Sequence, residues 1–328
     1  MNDVTAGILS SLCKSGTFIS GEELCREFSI TRSAIWKHIG QLRMQGYRIE
    51  AVTGRGYRLT GLSGRPLQAE VDMFMEPGRI GKRIIYHQEV SSTNQLARVL
   101  AQEGASEGTV VSADAQTGGR GRMGRSWVSP PGVNLYFSFI LRPALPPIRV
   151  PQLTLLVAAA IHRAFVQYLP DLRPKVKWPN DILLNGRKVS GVLCEMQSEA
   201  DLAHFVIVGV GINVNQHDFP PELRHQATSL SLEAGRPLSR PKLLAFLLNH
   251  FEQLYGEWLA GEDLSFIVPY LEAHSFLHGK EVTIEHFSNC IQGTVGGIAP
   301  GGELMLLDAG GCRRLVSSGE AHIRKEQP

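Results

Sequence analysis

Two apolar runs, DILL (181–184) and KVSGVLCEM (188–196), are separated by Asn185-Gly186 and Arg187. Asn-Gly is the strongest short-range signal for a two-residue hairpin, because both central positions of such a turn need positive φ. A turn of this kind fixes strand register, and register decides which side chains share a face. It places Lys188 near the start of the return strand and Gly191 further along it, where a backbone can pass close to a ligand. A lone lysine at that place is usually a solvated hairpin residue.

The runs RIIYHQEV, TVVSA, NLYFSFILR and HFVIVGVGINV have the same β-branched and aromatic character. Helices are expected at 92–103, 153–168 and 242–259. In the last of these Leu244, Leu247, Leu248, Phe251, Tyr255 and Trp258 recur at helical spacing, which reads as core packing. The segment 62–65 before Pro66 reads as a linker. From Gly279 onward short strands alternate with Gly-rich turns (Gly296-Gly297, Gly301-Gly302), a pattern that predicts a small β-barrel. The chain is therefore expected to be α+β, with domains at 1–64, 65–275 and 276–328; its 328 residues suffice for two or three.

Bulk properties exclude several classes. The longest apolar run, 153–161, is interrupted by Thr154 and ends at His162-Arg163, far short of a membrane span. No charged segment followed by an apolar one opens the sequence, so no secretory signal is expected. Five cysteines (Cys13, Cys25, Cys194, Cys290, Cys312) form no CxxC, and their odd number argues against a disulfide framework. Both points lead to an expected reducing, cytoplasmic setting. Net charge is only +2, so any nucleic-acid surface must come from local clustering of basic residues.

Such clustering occurs near the N-terminus. Residues 20–50 contain two short helices joined by a turn; Ser20 begins a Ser-x-x-Glu capping box and Thr31 can cap the second helix. Ala34, Ile35, Ile39 and Leu42 form an apolar stripe that leaves Arg32, Ser33, Trp36 and Lys37 towards solvent. YRIEAVTGRGYRL then forms a hairpin with Gly54-Arg55-Gly56 at its tip. This is the pattern of a winged helix-turn-helix, whose second helix enters the major groove while Arg55 and Arg58 reach DNA from the wing. Between residues 30 and 60, Arg32, Lys37, Arg43, Arg48, Arg55 and Arg58 stand against one acid, Glu50. A protein-interaction module with solvating basic residues is the competing reading, and Trp36 is unusual on a base-reading face.

Residues 118–127 read GGRGRMGRSW, within a loop of about twenty residues between two strand runs. The glycines let a ligand approach the backbone and offer N–H groups to an anion. Arg120, Arg122 and Arg125 each stabilise a phosphate by about 4 kcal/mol at ~4 Å and an effective dielectric near 20. Trp127 adds a flat face for a base. Neither a P-loop nor GxGxxG matches, and an RNA-binding RGG-type segment is the rival reading. In VSSTNQLA, Ser92 with Gln95 fits a capping box, while Ser92, Thr93 and Asn94 at a helix start also suit recognition of a small polar ring. VGVGINVN ends a strand with Gly209, Gly211, Asn213 and Asn215.

STNQ, GGRGRMGRSW, KWPNDILLNGRKVSG, GVGINVN and ATSL (227–230) stand in the order seen in biotin–protein ligases. With the winged helix and the C-terminal barrel, essentially the whole chain resembles the bifunctional type that also represses biotin synthesis genes. The resemblance implies a central mixed-sheet biotin/lipoate-ligase domain, class II synthetase-like, and an SH3-like C-terminal barrel. It implies biotin and ATP as substrates, Mg²⁺, biotinyl-5′-AMP as intermediate and corepressor, and a lysine of biotin carboxyl carrier protein as acceptor. It further implies operator DNA as a partner and a ligand-promoted homodimer. By similarity Ser92, Thr93, Asn94 and Gln116 hold the ureido group, with Gly191 also lining the biotin site. Gly119, Arg120, Gly121 and Arg122 wrap the carboxylate and phosphate. Lys188, Arg120 and Arg122 are the catalytic set. Arg122, Arg125, Trp127, Asn180 and Asn213 meet the nucleotide, and Asp181 is either a metal contact or a strand-end cap. A glycine-rich loop over a labile mixed anhydride is expected to be partly disordered without ligand. Rival readings are a lipoate–protein ligase, a non-catalytic biotin sensor and a ligase without repressor activity.

Overall fold

The computed structural model describes residues 3–261, 263–286, 289–308 and 310–324. They fall into two compact units: Met1–Glu76 with Ser239–Ala245, and Pro77–Leu238 with Phe246–Pro328.

In the first unit α1 (Asp3–Ser15), α2 (Gly21–Phe28) and α3 (Arg32–Met44) precede the hairpin of β1 (Arg48–Val52) and β2 (Gly56–Gly61); α4 (Gln68–Val71) follows. Ser20 and Thr31 cap α2 and α3 as expected, accepting from the Glu23 and Ala34 amides at 3.0 and 3.3 Å. Each cap satisfies an otherwise orphaned helix donor. The core joins Ile8, Leu9 and Leu12 of α1, Leu24 of α2 and Ile35, Ile39 and Leu42 of α3, all fully buried. Ile19 exchanges two backbone hydrogen bonds with Tyr57, which brings that segment so close that a Cβ on Gly56 would lie 2.0 Å from the Ile19 carbonyl oxygen. The result is the expected winged helix-turn-helix. The linker 62–65 is not loose. Buried Glu70 accepts from the Ser63 amide, the Ser63 hydroxyl and the Gly64 amide.

The second unit is built on a seven-stranded mixed sheet. In chain order its elements begin β3 (Arg83–Val90), α5 (Thr93–Gln102), β4 (Thr109–Gln116), β5 (Leu135–Leu141), α6 (Val150–Tyr168), β6 (Lys175–Lys177) and β7 (Asp181–Leu184). Then come β8 (Arg187–Ser198), β9 (Ala203–Ile212), α7 (Leu230–Ala234), α8 (Arg240–Ala260, of which only the part from Phe246 onward belongs to this unit) and α9 (Val268–Ala273). Strand order is β3-β4-β5-β9-β8-β7-β6. Only β3 and β4 are parallel, joined through α5; the remaining pairs are antiparallel. Asn185 (φ 49°) and Gly186 (φ 76°) make the expected turn. They set Leu183 opposite Lys188 and Asp181 opposite Gly191, across a bulge after Ile182. The stripe on α8 is core: Phe251, Tyr255 and Trp258 are fully buried and stack in sequence, with centroids 5.3 and 5.9 Å apart.

The tail forms β10 (Glu281–His286), β11 (Asn289–Ile298), β12 (Leu304–Leu307), β13 (Arg313–Val316) and β14 (Glu320–Ile323). Their order is β13-β12-β11-β10-β14. The link 317–319, with Gly319 at φ 138°, carries the chain from one edge to the other. Among the described residues no ladder joins the two edge strands, so the expected barrel is an open antiparallel sheet.

His162 on α6 is 1% exposed, between the Tyr270 hydroxyl on Nδ1 (2.6 Å) and the Pro174 carbonyl on Nε2 (3.0 Å). Burial, reinforced by the His274 ring and the charges of Lys175 and Arg163, lowers its pKa from 6.5 to about 4 against the opposing Pro174 bond. Between those values the unfolded chain binds the extra proton, so stability falls as pH drops from 6.5 towards 4, by on the order of 3 kcal/mol. Urea unfolding at pH 7 and pH 4.5 is expected to show this loss, with a shallower pH slope in His162→Gln.

Candidate functional site

The site rests on three positions without side chains. Gly191 on β8 lies opposite Gly211 on β9, and Gly209 is two residues along, opposite Leu193. A Cβ on Gly209 would fall 2.0 Å from Asn94 Oδ1, one on Gly211 2.5 Å from the Trp127 indole, and one on Gly191 3.0 Å from the same ring. Above this floor lies a cavity of about 570 Å³, within the range of small-molecule sites.

One wall is a chain of hydrogen bonds. Gln116 Oε1, at the end of β4, accepts from the Thr93 amide (2.9 Å) and hydroxyl (3.2 Å), while its Nε2 donates to Ser129 Oγ (3.1 Å). Ser138 Oγ on β5 is 2.8 Å from Thr93 Oγ1 and 2.6 Å from Asn94 Oδ1. Asn94 Nδ2 donates to Glu195 Oε2 at 2.8 Å, and Arg98 holds the other Glu195 oxygen at 3.3 Å. Ser92 is the N-cap of α5 but makes no side-chain cap bond. The expected Ser92–Gln95 capping box is therefore absent: Gln95 Oε1 accepts from Ser91 instead, and Ser92 lines the cavity, nearly buried. Ser138 and Glu195 were missed in the sequence. Both sit in strand runs whose only visible signal is hydrophobicity.

The opposite wall is the segment 118–127, folded on itself as a small hairpin. Arg120 bridges Ser126, the Gly121 amide donates to the Arg125 carbonyl (2.7 Å), and the Trp127 amide to the Gly119 carbonyl (2.9 Å). Met123 and Gly124, at φ 56° and 73°, turn the tip. The segment is not irregular, because its own backbone satisfies these donors. Gly119 does not line the cavity. It is buried beneath the hairpin, where a Cβ would lie 2.5 Å from the Trp127 carbonyl oxygen. Gly121 and exposed Arg120 line the rim. Arg122 reaches inward and donates to Asn180 Oδ1 at 3.2 Å, and Asn180 is itself tied to the Val192 carbonyl at 3.0 Å. Burial pushes the Arg122 pKa down, opposed by the negative charges of Asp181 and Glu320. The Trp127 indole N–H is buried without a partner.

Lys188 Nζ pairs with Asp181 Oδ1 at 2.7 Å and lies 5.4 Å from the Trp127 ring centre. The start of β8 is held by 226–228: the Lys188 amide donates to the Gln226 carbonyl and its carbonyl accepts from the Thr228 amide. Glu233 locks the turn, accepting from Asn185, Arg187 and Thr228; sequence reading did not find it. Asn213, almost buried, donates to the Thr228 carbonyl at 3.1 Å and so also fixes this segment. Among the described residues no three metal-binding side chains cluster.

A polar pocket, an arginine-bearing hairpin and a lysine thus converge over one glycine floor. Residues 86–213 match the biotin/lipoate A/B protein ligase family and residues 6–58 match an HTH domain. The chain is 39% identical to the bifunctional ligase/repressor BirA of Bacillus subtilis, over 92% of this chain and 93% of that protein. The chain belongs to the bifunctional ligase/repressor family. The Escherichia coli member is 32% identical over 76% of each chain. Among solved structures, the biotin protein ligase of Aquifex aeolicus in complex with biotin and ATP is 31% identical, with a TM-score of 0.65; the match covers 75% of this chain and all of that one.

The family's helix-turn-helix half is also laid out in the first unit. Arg32, Ser33, Trp36 and Lys37 are exposed on α3. Arg55 at the hairpin tip is exposed and stacks on Phe18, 4.4 Å from the ring centre. Arg58 is half-buried, lies over the same ring, and pairs with Glu50 at 2.6 Å.

In the ligase half, Arg125 lines the cavity and clasps Glu320 of β14, another lining residue, through two bonds of 2.8 Å. Burial works against the Glu320 carboxylate, but Arg125, aided by His322 and Lys177, holds its pKa below the ordinary value. The clasp is therefore complete above the usual carboxylate range and is lost only as pH falls through the lowered value. Glu320→Gln is expected to speed tryptic cleavage at Arg120, Arg122 and Arg125 several-fold, as read from the fragment time course at pH 7.

Proposed function

We propose that the second unit condenses biotin with ATP to give biotinyl-5′-AMP and pyrophosphate, then transfers biotin to a lysine of a biotin carboxyl carrier protein. The first unit represses biotin synthesis genes, with biotinyl-5′-AMP as corepressor. The observation carrying the ligase reading is the convergence of Thr93, Asn94 and Gln116 with Arg122 and Lys188 over the glycine floor. A ureido ring has one carbonyl acceptor and two N–H donors, and the Ser92 and Thr93 hydroxyls and Asn94 amide answer both kinds. Thr93 and Asn94 are fixed through Ser138, Glu195 and Gln116 before ligand arrives, which lowers the ordering cost of binding.

Activation joins two anions. The carboxylate oxygen attacks the α-phosphorus and pyrophosphate leaves; the acceptor amine then attacks the acyl carbon, loses a proton and expels AMP. Preorganised positive charge is the main requirement. Lys188, tethered to Asp181, stands where the carboxyl and α-phosphate oxygens meet. Arg122, oriented by Asn180, faces the same point, and Arg120 at the rim guides the anions in. Trp127 covers the nucleotide side, and Asn213 fixes the segment that holds the Lys188 backbone. Gly121 and Gly191 leave room for the ligand, while Gly119 closes the hairpin. Mg²⁺, brought by the nucleotide, would offset the charge of its phosphates. The lining carboxylates, Asp181 and Glu320, are paired with Lys188 and Arg125, so these residues build no resident metal site.

Ligand-promoted pairing of two copies would present two α3 helices to two half-sites, in a cytoplasmic setting. The division at 1–64, 65–275 and 276–328 remains our reading of the domains. No helix among the described residues is long and apolar enough to cross a membrane.

ATP–pyrophosphate exchange is expected with biotin and not with lipoate; the reverse preference would make the chain a lipoate ligase. Lys188→Ala is expected to cut the exchange rate about 10²-fold or more. Arg122→Gly is expected to release biotinyl-5′-AMP into solution faster than the parent protein, measured by rapid filtration. Gel-shift of DNA from upstream of biotin synthesis genes is expected only with biotin and ATP present; ligand-independent or absent binding would remove the repressor half.

A further inference from the structure

Trp36 is the largest apolar side chain left open in the first unit, 70% exposed on α3. Nothing in the core explains it: Ile35, Ile39 and Leu42 make the buried face of that helix. One turn further on the same outer face is Gly40. Its backbone is not in the left-handed region, and a Cβ built there meets nothing within 4 Å. A glycine inside a helix is less favourable than alanine, so neither backbone nor internal packing accounts for this one. Trp36 and Gly40 together form an apolar wall beside a notch that lets a partner come close to the helix axis.

The surrounding charge selects the partner. The helix carries Arg32, Lys37 and Arg43 and no acidic residue, and Arg55 adds an exposed positive group at the wing. A second copy of this face would be repelled; a polyanion would be drawn in. Arg58 contributes little net charge because Glu50 neutralises it, and Glu22 at 3.8 Å offsets part of Arg32, so Lys37, Arg43 and Arg55 carry the excess. In the major groove of DNA the protruding apolar group is the thymine 5-methyl. We propose that Trp36 and Gly40 seat a thymine 5-methyl in each half-site, making this pair the specificity determinant of the DNA-binding unit. The inference rests on the repressor reading and adds the chemistry of the base read.

The test uses the full chain with biotin and ATP. Duplexes are selected from a random pool, and each thymine of the selected sequence is replaced singly by deoxyuridine, which removes only the methyl. Affinity is expected to drop about three- to tenfold at one thymine or more per half-site. Trp36→Ala is expected to weaken the all-thymine duplex by a similar factor and to lose the sensitivity to uridine there. Gly40→Ala is expected to raise the thermal midpoint while weakening the same duplex, a pair of opposite signs that a purely structural glycine would not give. Uridine-insensitive binding by the parent chain, or an unchanged uridine profile in Trp36→Ala, overturns the inference while the repressor reading stands. A Trp36→Ala effect on self-association without DNA would assign the face to a second copy and overturn it as well. Failure to select any duplex removes the repressor reading and this inference with it.

Discussion

The ligase half depends on the close approach that Gly191, Gly209 and Gly211 allow on two paired strands. Asn94 enters from α5 and Trp127 from the hairpin of 118–127, and each occupies space that a single methyl group would take. The two walls of the cavity are therefore positioned against the same floor. Strand register, set by the Asn185-Gly186 turn and its bulge, puts Gly191 opposite Gly211 and leaves Lys188 at the mouth. A one-residue slip would turn these positions to the other face of the sheet. It would replace the floor with Val192 and Val210.

Electrostatics are organised on that frame. Lys188 and Arg122 are held by Asp181 and Asn180, neighbouring residues at the start of β7. Arg125 is drawn aside to Glu320. The three arginines that look equivalent in GGRGRMGRSW thus have different surroundings: one at the rim, one inside, one clasped to the C-terminal sheet. A partly buried cation with only a neutral hydrogen-bond partner, such as Arg122, is in the best place to gain from an arriving anion.

Much of this was legible in the sequence because it depends on local chemistry. Ser20 and Thr31 announce their helices, Asn185-Gly186 announces its turn, and the stripe on α8 announces a core. What stayed hidden depends on distant pairing. Ser92 sits at a helix start with Gln95 in the right place, yet Ser91 takes that glutamine. Ser138 and Glu195 act through partners 44 to 101 residues away, and Glu233 reaches the turn residues Arg187 and Asn185 from 46 and 48 residues away, beyond what a local pattern carries. The three-residue β6 has too little apolar length to register. The tail was read correctly as short strands, but closure is a property of its edges, and β14 pairs with β10 rather than with β13.

The most direct test of the glycine floor is the affinity of Gly209→Ala for biotin, measured by calorimetry without ATP on protein whose circular dichroism matches the parent. A Cβ there displaces Asn94 from the ring-binding wall, so binding is expected to weaken about tenfold or more, as for a lost buried hydrogen bond. Parent-like affinity in a folded Gly209→Ala protein would contradict the account.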